Sequence, residues 1–292
     1  MDIESILKNR DLSTGSIELY KIKISKLNDN KPIKNFNFLK DIDKILKKIS
    51  HLKPSTSRSY IITICSILKS LDDKRYKSIY DKYRIILEKY NGDLKDNTEK
   101  TDKEIENWIS ISEINTLYQK IEKDVLEKPC CKHYQNLLII SLYTLIPPRR
   151  SKDFLLMKVV DEHTQDMSKE FNYFDIKNKE FIFENYKTSK SYGQQVQEIP
   201  EKLYKIVMEY IKYFDLKLND FLIVNPKTGK QYNSMNSMTL LLNNIFKRKI
   251  SVGMLRKIYL SEKYSDVEME KKLDAERMST SVSVMGNNYI KR

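Results

Sequence analysis

The chain has 292 residues, 53 Lys and Arg against 40 Asp and Glu, and a net charge of +13. Its length allows two domains of roughly 100–200 residues each, and its longest apolar stretch, 137–148 (LLIISLYTLIPP), is shorter than the ~20 residues of a membrane span. The start, MDIESILKNRDLS, lacks the charged-then-apolar plan of a secretory leader, so no membrane segment and an intracellular setting are expected, without choosing between host nucleus and cytoplasm. The basic balance is the electrostatic footprint of a nucleic-acid binder. Abundant Lys, Asn, Ile and Tyr also fit an AT-biased genome, so motifs must decide between the two.

Residues 1–92 read as a helical bundle. Asp11-Leu-Ser-Thr-Gly opens a helix in which Ile17, Tyr20, Ile24 and Leu27 recur at helical spacing. Further helices are expected over 38–52, from Pro54 through 71, and over 77–90, with proline and hydroxyl residues supplying the third start. Residues 93–107 are nearly devoid of apolar side chains and read as a solvated linker.

Residues 108–292 form a second domain. Ser110 with Glu113 predicts a capped amphipathic helix over 109–125. The adjacent Cys130 and Cys131 precede His133, but one short cluster without a second ligand pair does not make a zinc site, and no metal or cofactor is expected. Residues 134–146 are apolar on nearly every face and predict a buried central helix. Segments 171–178, 179–188 and 193–200 alternate between turn residues and predict a three-stranded antiparallel sheet. Helices are expected over 201–214, 237–249, 251–264 and 267–278, which makes the fold mainly α with a small antiparallel β-sheet.

Three basic or nucleophilic features stand out. PPRRSKDF carries Arg149 and Arg150 just after the apolar helix, SVGMLRKIYLS carries Arg256, and MSTSVSVMGNNYIKR ends near Tyr289. Planar, permanently charged guanidinium forks suit phosphate oxygens. A phenol with an ordinary pKa of about 10 becomes a nucleophile when cations lower the cost of its ionisation.

In this order of parts the chain resembles the tyrosine recombinase family, the lambda-integrase-like enzymes. The resemblance implies a helical core-binding (SAM-like) domain that clamps DNA, followed by a DNA breaking-rejoining catalytic domain. It implies strand cleavage and rejoining through a 3′-phosphotyrosyl intermediate without metal or energy cofactor. Partners would be double-stranded DNA and further copies of the chain in a tetramer. The family pattern Arg-x-x-Glu/Asp falls on Arg150 to Asp153, with Asp153 buttressing the helix start and Arg149 available to a neighbouring phosphate. The hairpin lysine that serves the departing 5′ oxygen falls on Lys187, with Lys190 as its rival. Arg256 matches the second arginine, Lys257 adds charge beside it, and Tyr289 matches the nucleophile. The chain departs from the pattern at two places, with Gly253 where a histidine opens the second box and Thr280 where a later histidine or tryptophan is expected. In the first domain, Lys53, the hydroxyls of Ser55, Thr56 and Ser57, and Arg58 offer phosphate donors near a helix start.

The leading expectation is therefore a site-specific recombinase or integrase of a virus or mobile element. Two alternatives stay open. One is a type IB topoisomerase-like enzyme. The other is a DNA-binding protein of the same fold whose catalysis is weakened by Gly253 and Thr280.

Overall fold

A computed structural model describes residues 2–290 apart from 9, 11, 95–98 and 233. The expected helix start at Asp11 and residues 95–98 of the expected linker thus lie outside the described residues. The chain divides into two units, Met1–Lys100 and Thr101–Arg292.

In the first unit each helix begins where a side-chain oxygen can take up a free backbone N–H. Asp2 caps α1 (Ile3–Leu7) and Ser13 caps α2 (Thr14–Leu27). Asp41 caps α3 (Ile42–Ile49), and Pro54 opens α4 (Pro54–Leu71) at the position where its missing N–H costs nothing. Asp73 caps α5 (Lys74–Asp93). The apolar faces meet in one core in which Leu7, Ile24, Phe36, Leu39, Ile45, Ile61 and Ile64 are buried. Tyr83, also fully buried, spends its hydroxyl on the Leu39 carbonyl at 3.0 Å.

The second unit opens with α6 (Asp102–Asn107) and α7 (Ile111–Glu127). Each starts with a reciprocal capping box, Thr101 with Glu104 and Ser110 with Glu113. Residues 102–107 are therefore helix, where solvated linker was expected. Their low apolar content hid a strong start signal. Next comes α8 (Cys131–Thr144), buried without a break from Leu137 to Tyr143, as its apolar sequence requires. Pro147 and Pro148 keep it from continuing. After them α9 (Ser151–Leu155) makes a single turn.

The sheet has four strands and is mixed, which corrects the expected three-stranded antiparallel one. β1 (Met157–Val160) pairs in parallel with β2 (Asn172–Asp175), in the register Met157 to Asn172. β3 (Glu180–Phe183) and β4 (Gln195–Glu198) follow antiparallel in the order β1-β2-β3-β4. Four residues of MKVV carry too little periodicity to announce a strand. The link from β3 to β4 contains a short helix, α10 (Ser189–Tyr192), ended by Gly193 at φ 66°.

Beyond the sheet lie α11 (Glu201–Phe214), α12 (Asn236–Phe246) and α13 (Val252–Arg277). The last replaces two expected helices by one of 26 residues, about 39 Å long at 1.5 Å per residue. No glycine or proline interrupts residues 254–277. Its N-terminal turns bury Val252, Met254, Leu255 and Ile258, whereas residues 261–270 are all exposed. It ends in a Schellman motif. Thr280 N–H donates to the Ala275 carbonyl at 2.9 Å, Ser279 N–H donates to Glu276 at 3.0 Å, and Ser279 adopts φ 53°. A further turn, α14 (Val282–Val284), continues as a π-type turn over Met285–Tyr289. Among the described residues no helix is long and apolar enough to cross a membrane.

Candidate active site

The turn after α8, the β3–β4 connection and the start of α13 border a cleft of about 590 Å³. Arg149, Arg150 and Arg256 all line it, though Arg256 lies more than a hundred residues further along the chain. The two neighbouring arginines are used differently. Arg149 donates through Nε to Asp153 Oδ2 at 3.0 Å and through both terminal nitrogens to Gln195 Oε1 at 3.1 Å. Its guanidinium lies 3.6 Å from the centre of the Phe183 ring. Burial and the nearby Arg256 charge push its pKa down, and Asp153 opposes them.

Arg150 occupies the extended N-cap position of α9 and leaves the cap without a side-chain bond. Neither the Arg150 nor the Arg256 side chain makes a hydrogen bond or ion pair among the described residues, and both residues are half-buried. Each therefore presents up to five N–H donors to the cleft. Arg150 and Arg256 are thus free to hold an anion, while Arg149 is spent on the wall.

Asp153 is 2% exposed. Burial pushes its carboxyl above the ordinary carboxylate value, and the Arg149 charge acts in the opposite direction. Its Oδ1 has no hydrogen-bond partner among the described residues. The expected buttress at the start of α9 is thus a tether for Arg149.

The cleft wall depends on residues that sequence reading passed over. Asn172 is fully buried on β2. Its Nδ2 donates to the carbonyls of Asp153 at 2.7 Å and Asn185 at 3.2 Å. Its Oδ1 accepts from the backbone of Glu184 at 2.9 Å and Asn185 at 2.8 Å. One side chain so joins α9 to the start of the β3–β4 connection. Lys152 Nζ reaches Asn185 Oδ1 at 2.5 Å, and the Tyr186 hydroxyl donates to the Gly193 carbonyl at 2.8 Å, closing that connection on itself. The only available sequence signal was a polar residue inside the β-forming run FNYFD.

The other expected residues fall elsewhere. Lys187 is exposed in the β3–β4 connection; its neighbours Tyr186 and Thr188 line the cleft, whereas Lys187 is not among the lining residues. Lys190 sits on α10 and borders an adjoining cleft with Lys169, Glu184 and Gln194. Gly253 and Lys257 line a separate cleft with Lys249 and Ser251, and Lys257 is ion-paired to Glu104. Thr280 spends its backbone N–H on the cap of α13. Tyr289 is 60% exposed beyond the far end of that helix and is not among the residues lining the arginine cleft. In the first unit Lys53, Ser55 and Thr56 are exposed, and Arg58 Nε donates to Asn91 Oδ1 at 2.6 Å. Ser57 is buried with its hydroxyl donating to the Ile49 carbonyl at 2.9 Å, so it is a structural group and not a phosphate donor. Nδ1 of His133 lies 2.8 Å from the Lys128 carbonyl, which requires that nitrogen to carry the proton. Among the described residues no three His, Cys, Asp or Glu side chains group as metal ligands would.

No protein-family model matches the chain, and no curated relative does. Among solved structures, the crystal structure of XerA recombinase is similar over 87% of this chain and 79% of that one, at 13% identity and a TM-score of 0.36. A likeness that distant carries no weight for function, which rests on the cleft itself.

Proposed function

We propose that the chain is a site-specific DNA recombinase that cuts and rejoins strands through Tyr289. The observation that carries this reading is the pair of unspent guanidiniums, Arg150 and Arg256, in one cleft. Two such forks from separate elements suit the non-bridging oxygens of one phosphodiester, where charge shifts as the bond order changes. In the reaction the Tyr289 phenolic oxygen gives its proton to water as it attacks phosphorus, and the bond to the 5′ oxygen breaks. That oxygen takes a proton, for which Lys187 on the exposed connection is the candidate donor. The phosphate stays on the 3′ side, joined to the tyrosine, until another 5′ hydroxyl attacks, returns its proton to Lys187 and releases the phenolic oxygen, which takes a proton from water. Bonds made and broken balance in each direction. Double-stranded DNA is the partner, the N-terminal unit its clamp through Lys53 and Arg58, and a tetramer the working assembly. A virus or mobile element is the proposed origin.

The position of Tyr289 favours one second reading. An exposed tyrosine outside the cleft, together with Gly253 and Thr280 in place of proton-carrying side chains, suits a protein that binds DNA without cutting it. General acid–base groups are worth about 10²–10⁴-fold, so their loss separates binding from turnover.

A pool of nicked duplexes with randomised sequence distinguishes the readings, because the nick lets the cleaved end diffuse away and traps the covalent product. Wild-type protein is expected to give an adduct on a denaturing gel, and Tyr289→Phe none. Salt-sensitive DNA binding with no adduct from any sequence in the pool establishes the silent binder instead.

A further inference from the structure

Tyr192 is the most exposed tyrosine among the described residues, at 70%, and it lines the arginine cleft. Its side chain has no hydrogen bond or ring partner among those residues. The contrast with its neighbour is sharp: Tyr186, six residues earlier on the same connection, is buried with its hydroxyl bonded. Gly193, at φ 66° and ψ −160°, ends α10 directly after Tyr192 in a conformation that a side chain would strain. The ring is therefore carried at the tip of a tight turn and left open to the cleft.

Beside it, β4 presents Gln195 and Gln197 to the same cleft. Being two residues apart, they share one face of the strand. Gln195 is committed to Arg149. The Gln197 amide has no hydrogen-bond partner among the described residues and offers both a donor and an acceptor. The cleft thus combines two free guanidiniums, an open aromatic face and a free amide in about 590 Å³. That volume falls within the ~300–1,000 Å³ of sites that take a small ligand.

Paired bases in a duplex have no face to offer a protein ring. An unpaired or turned-out base does, and stacking on an aromatic side chain is the usual way to hold it. Resting on the reading of Arg150 and Arg256 as the phosphate site, we infer that Tyr192 stacks on a nucleobase that leaves the helix beside the bound phosphate, with Gln197 bonding to its edge. The site is then specific for DNA opened at the bound phosphate, and the β3–β4 connection is the element that senses the opening.

The test compares a duplex carrying one unpaired 2-aminopurine with the same duplex fully paired, bound to the intact protein. Tyr192→Ala is expected to weaken binding to the bulged duplex roughly 5- to 150-fold, the range for one base–aromatic stack, and to change binding to the paired duplex little. Tyr192→Phe keeps the ring and is expected to restore both the affinity and the fluorescence quenching of the stacked base. Gln197→Ala is expected to alter preference for the unpaired base more than affinity for the paired duplex.

If Tyr192→Ala binds the bulged duplex as tightly as wild type, or Tyr192→Phe is as weak as the alanine variant, stacking is overturned. Arg150→Ala and Arg256→Ala run alongside. If they weaken both duplexes while Tyr192→Ala changes neither, the phosphate site survives and the stacking inference alone falls. If they change nothing, the phosphate reading falls and the stacking inference with it.

Discussion

Asn172 spends both polar atoms of its side chain on four backbone groups at the junction of α9, β2 and the β3–β4 connection. Replacing it with alanine takes that partner from one buried and three partly buried backbone groups. Each buried polar group so stranded costs about 1–3 kcal/mol, with partial relaxation among neighbours. Asn172→Ala is expected to lower unfolding stability by at least about 2 kcal/mol in a urea titration. Asn172 also has no charge or motif to advertise it. The same holds for Gln195, whose amide oxygen fixes Arg149 across the cleft. At this scale the sequence made the arginines legible, because their chemistry is intrinsic to the side chain. It did not divide the labour between Arg149 and Arg150, because that depends on which of them folding turns toward Asp153, Phe183 and Gln195.

The elements were legible where period and caps agreed. Ser110 with Glu113, Pro54, and the all-round apolar run of α8 each fixed a helix that the fold contains. β1 escaped because a parallel edge strand of four residues has no pattern of its own. In α13 the polar pair Ser265-Asp266 resembles a break in the sequence, yet neither residue stops a helix as glycine or proline does. α6 has the composition of a linker, yet Thr101 and Glu104 form a capping box there, and Glu104 also carries the ion pair to Lys257 on α13. That last contact gives a test of the pairing of α6 with α13. Lys257 and the Thr101 bonds hold the Glu104 carboxyl down to about 2, against an ordinary value of 4.5. A carboxyl depressed in the folded state adds stability above its unfolded pKa and loses it as pH falls toward the folded one. Melting temperatures of wild type and Glu104→Gln are therefore expected to differ by a constant amount above about pH 5.5, and the difference should shrink between pH 4.5 and 2. A difference that does not change with pH would mean that the pair does not form.

For the whole molecule the dominant quantity is the charge of +13. Charge spread over a surface attracts any polyanion, whereas guanidiniums inside a cleft meet one phosphate in one geometry. Salt separates the two contributions. Each phosphate contact removed from duplex binding lowers the slope of log K against log salt by about 0.9. Arg150→Ala and Arg256→Ala are each expected to reduce the slope by about that amount in fluorescence anisotropy titrations, and the double variant by about twice as much. Unchanged slopes would assign the cleft to a ligand other than DNA.

The 26-residue α13 also has a mechanical consequence. Its first turns are buried, Arg256 lies about 6 Å along the axis from Val252, and the tip at Arg277 about 37 Å at 1.5 Å per residue. A sideways swing of 5 Å at the tip, enough to meet a neighbouring surface, is a rotation of about 8° and moves the Arg256 backbone by about 0.8 Å. As a lever the rod would reduce motion sixfold between its far end and the cleft. Any rotation about those first turns would therefore carry the segment bearing Tyr289 much further than the guanidinium of Arg256.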